Sequence, residues 1–550
     1  MPEFFDGDKT LEATRRNEAE DISEILANRY NIGYINLNTF PINPEALRLS
    51  TEEDARATRI IPFQKEGKIV SIAFDKATNH HIDVLAQELS QKGFSVEKFL
   101  VSSYSIEKAL TRYADLDAVS TSTPGSFAIS EERLAEELSQ LTSVADITKK
   151  VESLVSMDKA RRATRLLEIL FAGGASVGIS DIHLEPGEEA ARIRFRVTGM
   201  LKDVSRIDLP TYSLLLSRIK LLGAMKLNVH TRPQDGRFSI KVGESDVEVR
   251  ASSIPGAFGE SIVLRLLNSE QGRISIESLG IPENILTRIE KEIRKPNGML
   301  LTTGPTGSGK TTALYAFLQK IYSPDIKIIT IEDPVEYKLP GIVQTQVDGE
   351  KYTFAGGLRS SLRQDPDIIM VGEIRDSEVA ETAVRASLTG HFVLSTLHTN
   401  SAAGTFPRLA NLGVDPKSFG SAINVAMGQR LVRVLDPTKT KDSELAGEEL
   451  AFVEKHLATL PETIEKPAIP AMVKVPATEI PGDAFTSRVG IYEAIFMDDQ
   501  LADFLKGSPS ENEIKKEVYR QGTLTMAQDG VLKALSGITT IKEVMRVVGE

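Results

Sequence analysis

Two residue types are missing altogether: among 550 residues there is no cysteine and no tryptophan. Without cysteine the chain has no disulfide framework, no thiol nucleophile and no cysteine-based zinc or iron–sulfur site. Basic residues are the minority charge, 65 against 77 acidic, for a net −12. No global field therefore favours nucleic acid or anionic lipid, and only a local basic groove remains open. Apolar runs are short throughout, and none approaches the roughly 18 residues that mark a membrane-spanning helix. The start, Met1-Pro-Glu-Phe-Phe-Asp-Gly-Asp8, is acidic rather than basic and then apolar, so no export signal is expected. Apolar content is ordinary at 41%, which excludes a mostly disordered chain. The expectation is a soluble, intracellular protein of several domains.

Composition and turn signals divide the chain at residues 117, 158 and 272. Residues 1–117 open with a helical pattern, Ala19 to Tyr30, then an extended stretch, Gly33 to Leu37. Glu66-Gly67 separates two apolar runs, Arg59 to Phe63 and Lys68 to Phe74, as in paired strands. Helical stretches near His81–Gln91 and Ser105–Tyr113 complete a small α/β unit. Residues 118–158 are expected as a linker, since Ala118 to Ser126 is rich in Ser, Thr, Pro and Gly. In 159–272 a helix from Ala160 is expected to end at Gly173-Gly174. Strand signals follow at Ala191–Val197, Gly236–Val242, Asp246–Ser252 and Ser261–Leu267, with a helix at Tyr212–Leu227 between them. Residues 273–550 alternate strand and helix signals, as a parallel α/β core does. A helical, proline-interrupted lobe is expected from around residue 400.

The third unit carries the strongest chemical signal. Gly304-Pro305-Thr306-Gly307-Ser308-Gly309-Lys310-Thr311 matches G-x4-G-K-T, and Thr312 continues it. A short apolar strand, Met299–Thr302, precedes the motif and a helix, Thr311–Ile321, follows. Glycines let successive backbone N–H groups turn inward around a phosphate, and the helix N-terminus adds a favourable dipole. Lys310 is expected on the β- and γ-phosphates, and the Thr311 hydroxyl on Mg²⁺. A chance glycine-rich turn accounts poorly for a complete motif between a strand and a helix.

Three further apolar strands each end in polar groups. Lys327–Ile331 leads into Glu332-Asp333-Pro334-Val335-Glu336, and Asp367–Val371 into Gly372-Glu373-Ile374-Arg375-Asp376. Gly390-His391 leads through Phe392–Thr396 to Leu397-His398-Thr399-Asn400. In a parallel sheet such ends lie together where ligands bind. Nucleotide hydrolysis needs one carboxylate to orient or deprotonate water and another for the Mg²⁺ shell. Glu373 is the expected metal-side acid, acting partly through water, and Glu332 and Glu336 are candidates for activating water. Each alone would read as a solvated loop carboxylate; their alignment after a full phosphate loop reverses that. His391 and His398 are candidates for sensing the γ-phosphate. Zinc is not expected there, because no third ligand lies nearby. His80, His81, His183, His230 and His456 lack partner spacing, and Asp181 and Glu185 beside His183 read as a charged loop.

Arg192, Arg194 and Arg196 share one face of a strand, with Ile193, Phe195 and Val197 on the other. Arg237, Arg250 and Arg265 recur on the following strands. Arginine offers a permanent forked charge suited to phosphate oxygens. A half-solvated sheet face balanced by Glu188, Glu248 and Glu260 explains the pattern equally well.

Taken jointly, these motifs resemble the secretion ATPase superfamily, specifically the type II secretion and type IV pilus assembly ATPases. The resemblance rests on Gly304–Thr312, Thr330–Glu336, Arg363–Asp367, Val371–Asp376, Thr389–Asn400, Gln429–Arg433, Arg488–Glu493 and Gly537–Val544. In the second unit it rests on Ser180–Pro186, Arg232–Arg237 and Gly259-Glu260, and more weakly in the first on Ala55-Arg56 and Ile61-Pro62. It implies an α/β multidomain fold: a RecA-like P-loop ATPase core over 273–550, a small PAS-like α/β domain over 159–272 and an N-terminal docking domain over 1–117. It further implies a homo-hexamer hydrolysing Mg-ATP at the inner face of the cytoplasmic membrane. The implied partners are an inner-membrane platform protein and a docking protein held by residues 1–117. Arg237, Arg250 and Arg265 would then close on nucleotide as the domains move.

The sequence departs from the family in two places. Many members carry four zinc-binding cysteines after the segment matching Gln429–Arg433, but Asp436–Lys439 and Lys474–Thr486 offer none, so no zinc is expected. An amphipathic helix over Glu444–Leu460, with Leu450, Val453, Leu457 and Leu460 on one face, is the expected replacement, backed by Ile469, Met472, Val473 and Val475. Thr198 also precedes Gly199 where an aspartate is usual. The alternatives are a retraction-type pilus motor, against which the long first unit argues, and a nucleic-acid translocating ring. The translocase would need basic, aromatic-bearing pore loops, and the acidic, tryptophan-free composition argues against nucleic acid as a partner. A nucleotide sensor without turnover is disfavoured by Lys310, Glu336 and Glu373.

Overall fold

The structure is a computed structural model describing residues 7–30, 32–38, 40, 42–113, 122–123, 126–128, 141, 143–154, 157, 159–242, 245–268, 275–349, 351–478 and 484–549. Near the amino terminus, the runs read as paired strands do pair, Ile60–Glu66 antiparallel to Ile69–Phe74. A strand not foreseen, Ser95–Leu100, runs parallel to the second of these and links it to Gly33–Tyr34. Its sequence, Ser-Val-Glu-Lys-Phe-Leu, is too polar to announce itself, because its three apolar residues are split between two faces, Phe99 toward one core and Val96 and Leu100 toward the other. The long helix Gly7–Tyr30 is fixed to this sheet through buried Glu20, which accepts hydrogen bonds from Ser102, Ser105, Asn38 and Tyr34.

The second unit is an eight-stranded sheet. Its buried face, including Ile182, Ile193, Phe195, Val249 and Leu264, packs under the helices Lys159–Val177 and Leu209–Leu222. Arg192, Arg194 and Arg196 lie on the opposite face, as side-chain alternation requires. Two expectations change here. The helix runs through Gly173-Gly174 instead of stopping, because these glycines provide room rather than a turn. A Cβ on Gly173 would stand 2.7 Å from Ile147, and one on Gly174 would stand 2.7 Å from Ile179. Ile147 belongs to a helix, Val144–Ser153, inside the segment expected as a linker. Ile147 and Val151 are buried in this same core, and Ser126–Ala128 adds a short strand to the sheet edge. Ser122-Thr123 pairs antiparallel with that strand, and the rest of 118–140 is outside the described residues. Asp181–Glu185, read as a loop, is a strand ending at Pro186 between Gly259–Asn268 and Ala190–Val197.

The third unit is a seven-stranded sheet ordered Val343–Gln346, Ile328–Glu332, Ile368–Val371, Phe392–Leu397, Gly298–Thr303, Val425–Leu435, Phe485–Phe496. The first six run parallel; the last is antiparallel to its neighbour. The part beyond residue 400 is therefore not purely helical: two long strands from it complete the central sheet. Within it the expected amphipathic helix forms as Gly447–Ala458, burying Val453 and Leu457. Of the anticipated apolar cover Val473 is buried, whereas Ile469 and Met472 remain exposed. Among the described residues no helix is long and apolar enough to cross a membrane.

Candidate nucleotide-binding site

The chain leaves the buried strand Gly298–Thr303 at Gly304 and enters the helix Lys310–Ile321 through Gly309, whose φ is +86°. A Cβ on Gly304 would lie 2.6 Å from the Gln429 carbonyl oxygen, and one on Gly309 would lie 2.8 Å from Gln429 Nε2. The loop is thus pressed against the neighbouring strand so closely that only glycine fits. Lys310 Nζ donates to the carbonyl oxygens of Gly304 at 2.8 Å and Pro305 at 3.1 Å. Burial pushes the Lys310 ammonium below its ordinary pKa, and the nearby Glu373 charge opposes that shift. The Ser308 hydroxyl, buried inside the loop, and Gln429 Oε1 have no protein partner. A buried hydroxyl, an ammonium and a helix N-terminus form a donor set that suits the phosphate chain of a nucleotide. Thr311, half-buried in the first turn, supplies the oxygen a Mg²⁺ ion favours.

The carboxylates expected at strand ends occupy three different environments. Glu373 is largely buried and paired with His398 Nε2 at 3.2 Å and with the Arg375 guanidinium. Glu336 is half-exposed and receives Arg250 Nη1 at 3.0 Å, while Arg250 Nη2 donates to the Val335 carbonyl oxygen. Glu332 is 2% exposed and accepts from Thr330 Oγ1 at 2.5 Å, from Gln344 Nε2 at 3.2 Å and from the Tyr315 hydroxyl. Burial raises its pKa against those three donors, and the Glu336 charge adds to the rise. His391 does not join this group. It precedes its strand, so it sits at the opposite end of the sheet, where Nδ1 meets the Ala386 carbonyl oxygen at 3.2 Å.

The arginines of the second unit form a line that spacing alone did not reveal. Cross-strand register places Arg237 opposite Arg250, Arg250 opposite Arg265, Arg265 opposite Asp181 and Asp181 opposite Arg196. Asp181 binds Arg265 at 3.0 Å and Arg196 at 3.2 Å. Those contacts hold its carboxyl below the usual range despite the opposing effect of burial. Arg250 reaches Glu336 from this row, whereas Arg265 is engaged by Asp181 and Arg237 is exposed.

A match over residues 158–546 to the family described as Type II/IV secretion system protein accompanies this geometry. The chain belongs to that family. An MshEN domain matches residues 30–120. Among relatives, the Type II secretion system protein E of Pseudomonas aeruginosa is 41% identical over 423 residues, covering 76% of this chain and 82% of the relative. The Type IV pilus assembly ATPase PilB of Myxococcus xanthus is 34% identical over 534 residues, covering 96% and 91%. In fold, the chain is similar to the ATPase DotB of Legionella pneumophila, with a TM-score of 0.50 at 23% identity over 70% of this chain and 95% of that one. The RecA-like reading of the third unit accords with this likeness.

In this family member four residues at the site escaped the chemical reading of the sequence. Gln429 backs the phosphate loop, and Arg430 donates to the Asn400 carbonyl oxygen at 2.9 Å beside His398. Tyr315 and Gln344 surround Glu332. Gln429 and Arg430 begin the segment Gln429–Arg433, which carries the family resemblance but has no chemistry assigned to it. Adjacency of Val425–Leu435 to Gly298–Thr303 places them, pairing of Val343–Gln346 with Ile328–Glu332 places Gln344, and helical phase after Lys310 places Tyr315.

Proposed function

We propose that this protein is a Mg-dependent ATPase, acting as a homo-hexamer, that drives assembly of type IV pilus or type II secretion pseudopilus subunits. The observation that carries the reading is the Arg250–Glu336 pair, which connects the arginine sheet directly to the nucleotide site. Lys310 and the glycine-loop N–H groups bind the phosphates. Thr311 and Glu373 hold Mg²⁺, which when bound with the nucleotide neutralises charge on the transferred phosphoryl group. Glu336 orients the attacking water, and His398, through Glu373, registers the γ-phosphate. Release of Arg250 from Glu336 toward the nucleotide, with Arg237 and Arg265 in the same row, converts phosphate chemistry into movement of the second unit. The chain works at the inner face of the cytoplasmic membrane, residues 1–117 docking it to a membrane-associated protein and the ring engaging a platform protein. The full-length likeness to an assembly ATPase supports this reading.

Phosphate release from the full-length oligomer tests it. Arg250→Ala is expected to keep nucleotide binding, assembly and melting temperature while lowering turnover about a thousandfold or more, the range in which arginine fingers act. Loss of assembly or folding in that variant would assign the row a structural role instead.

A further inference from the structure

We propose that Tyr315 is a positioning residue for Glu336, with buried Glu332 and half-buried Gln344 as a brace rather than reacting groups. The inference rests on the reading of Glu336 as the residue that orients water. Tyr315 lies on the helix that starts at Lys310 and is fully buried. Its hydroxyl donates to Glu332 and accepts the backbone N–H of Glu336 at 3.3 Å and Gln344 Nε2 at 3.4 Å. One phenol oxygen therefore connects the phosphate-loop helix to the turn bearing Glu336. Tyr337 packs edge-on against the Tyr315 ring at 4.6 Å, which restricts the ring to one orientation.

Gln344 closes the turn from the other side. Its amide donates to Glu332 and to the Tyr337 carbonyl oxygen at 3.0 Å, and its oxygen accepts the Leu339 N–H at 2.7 Å. Residues 332–339 are thus held at both ends by one connected set of polar groups, buried at Tyr315 and Glu332 and half-buried at Gln344, every member partnered. Such networks rigidify when complete. Glu332 is 2% exposed and enclosed by Thr330, Tyr315 and Gln344, whereas the Glu336 carboxylate is half-exposed and, among the described residues, paired with Arg250. The consequence is a direct mechanical connection: a shift of the phosphate-loop helix moves the Glu336 backbone.

Tyr315→Phe keeps the ring and removes the oxygen. In the full-length oligomer, kcat is expected to fall roughly ten- to hundredfold, the scale of an ångström-size misplacement, with KM for ATP unchanged. In a Glu336→Gln background the same change should cost nothing further, since both act on one step. Glu332→Gln, which still accepts from Tyr315, should retain far more turnover than Glu336→Gln. Unchanged kcat in Tyr315→Phe, a loss additive with Glu336→Gln, or Glu332→Gln as inactive as Glu336→Gln would each overturn the proposal. Near-normal turnover in Glu336→Gln itself would instead defeat the reading on which it rests.

Discussion

Lys310→Ala and Glu373→Gln should both abolish measurable turnover in the purified oligomer, by different routes. The ammonium of Lys310 is sunk in the loop, where it donates to the carbonyl oxygens of Gly304 and Pro305. Removing it takes a fixed charge away from the phosphates, so binding weakens along with turnover. Preorganised charges of this kind are each worth about a hundred- to a thousandfold in rate. Glu373→Gln keeps the volume and should spare binding, because the phosphate loop is intact. It removes the charge shared by His398 and Arg375, and also the charge that opposes the burial-driven fall of the Lys310 pKa. Equilibrium binding of a fluorescent ATP analogue, beside phosphate release, separates the two. Near-normal turnover in Glu373→Gln would remove Glu373 from its assigned role.

Leu457→Asp is the largest stability effect expected. Leu457 is 1% exposed, in a core shared with Val432, Phe452, Val453, Ile491, Val531 and Val544. The change forfeits about 1.5–3 kcal/mol of apolar burial and places a carboxylate where it has no partner, for a total of about 3–5 kcal/mol or more. Val432 and Ile491 lie on the two long strands that finish the central sheet, so the damage should extend beyond the lobe toward Gln429 and the phosphate loop. Urea unfolding and limited proteolysis read the loss. The same packing argues that no metal is needed here: a chelator in excess Mg²⁺ should leave the melting temperature unchanged, and elemental analysis should find no stoichiometric zinc. A neutral Leu457→Asp would mean the helix Gly447–Ala458 merely rests on the surface.

Much of this molecule was legible from short stretches of chain. The phosphate loop, the strands that end in Glu332, Glu373 and His398, and the arginine face of Ala190–Val197 all follow from local patterns. A turn needs its glycines, a buried strand needs its apolar run, and alternation assigns faces. Tertiary structure decided the rest. Gly173-Gly174 reads as a stop until Ile147 and Ile179 are packed against it. Arg237, Arg250 and Arg265 become one row only through register between strands, and only the placement of the second unit brings Arg250 rather than its neighbours to Glu336. Tyr315 and Gln344 are polar residues of no evident purpose until folding encloses Glu332 between them. These are contacts between residues distant in sequence, and a one-dimensional pattern records which side of an element is buried but not what is buried against it.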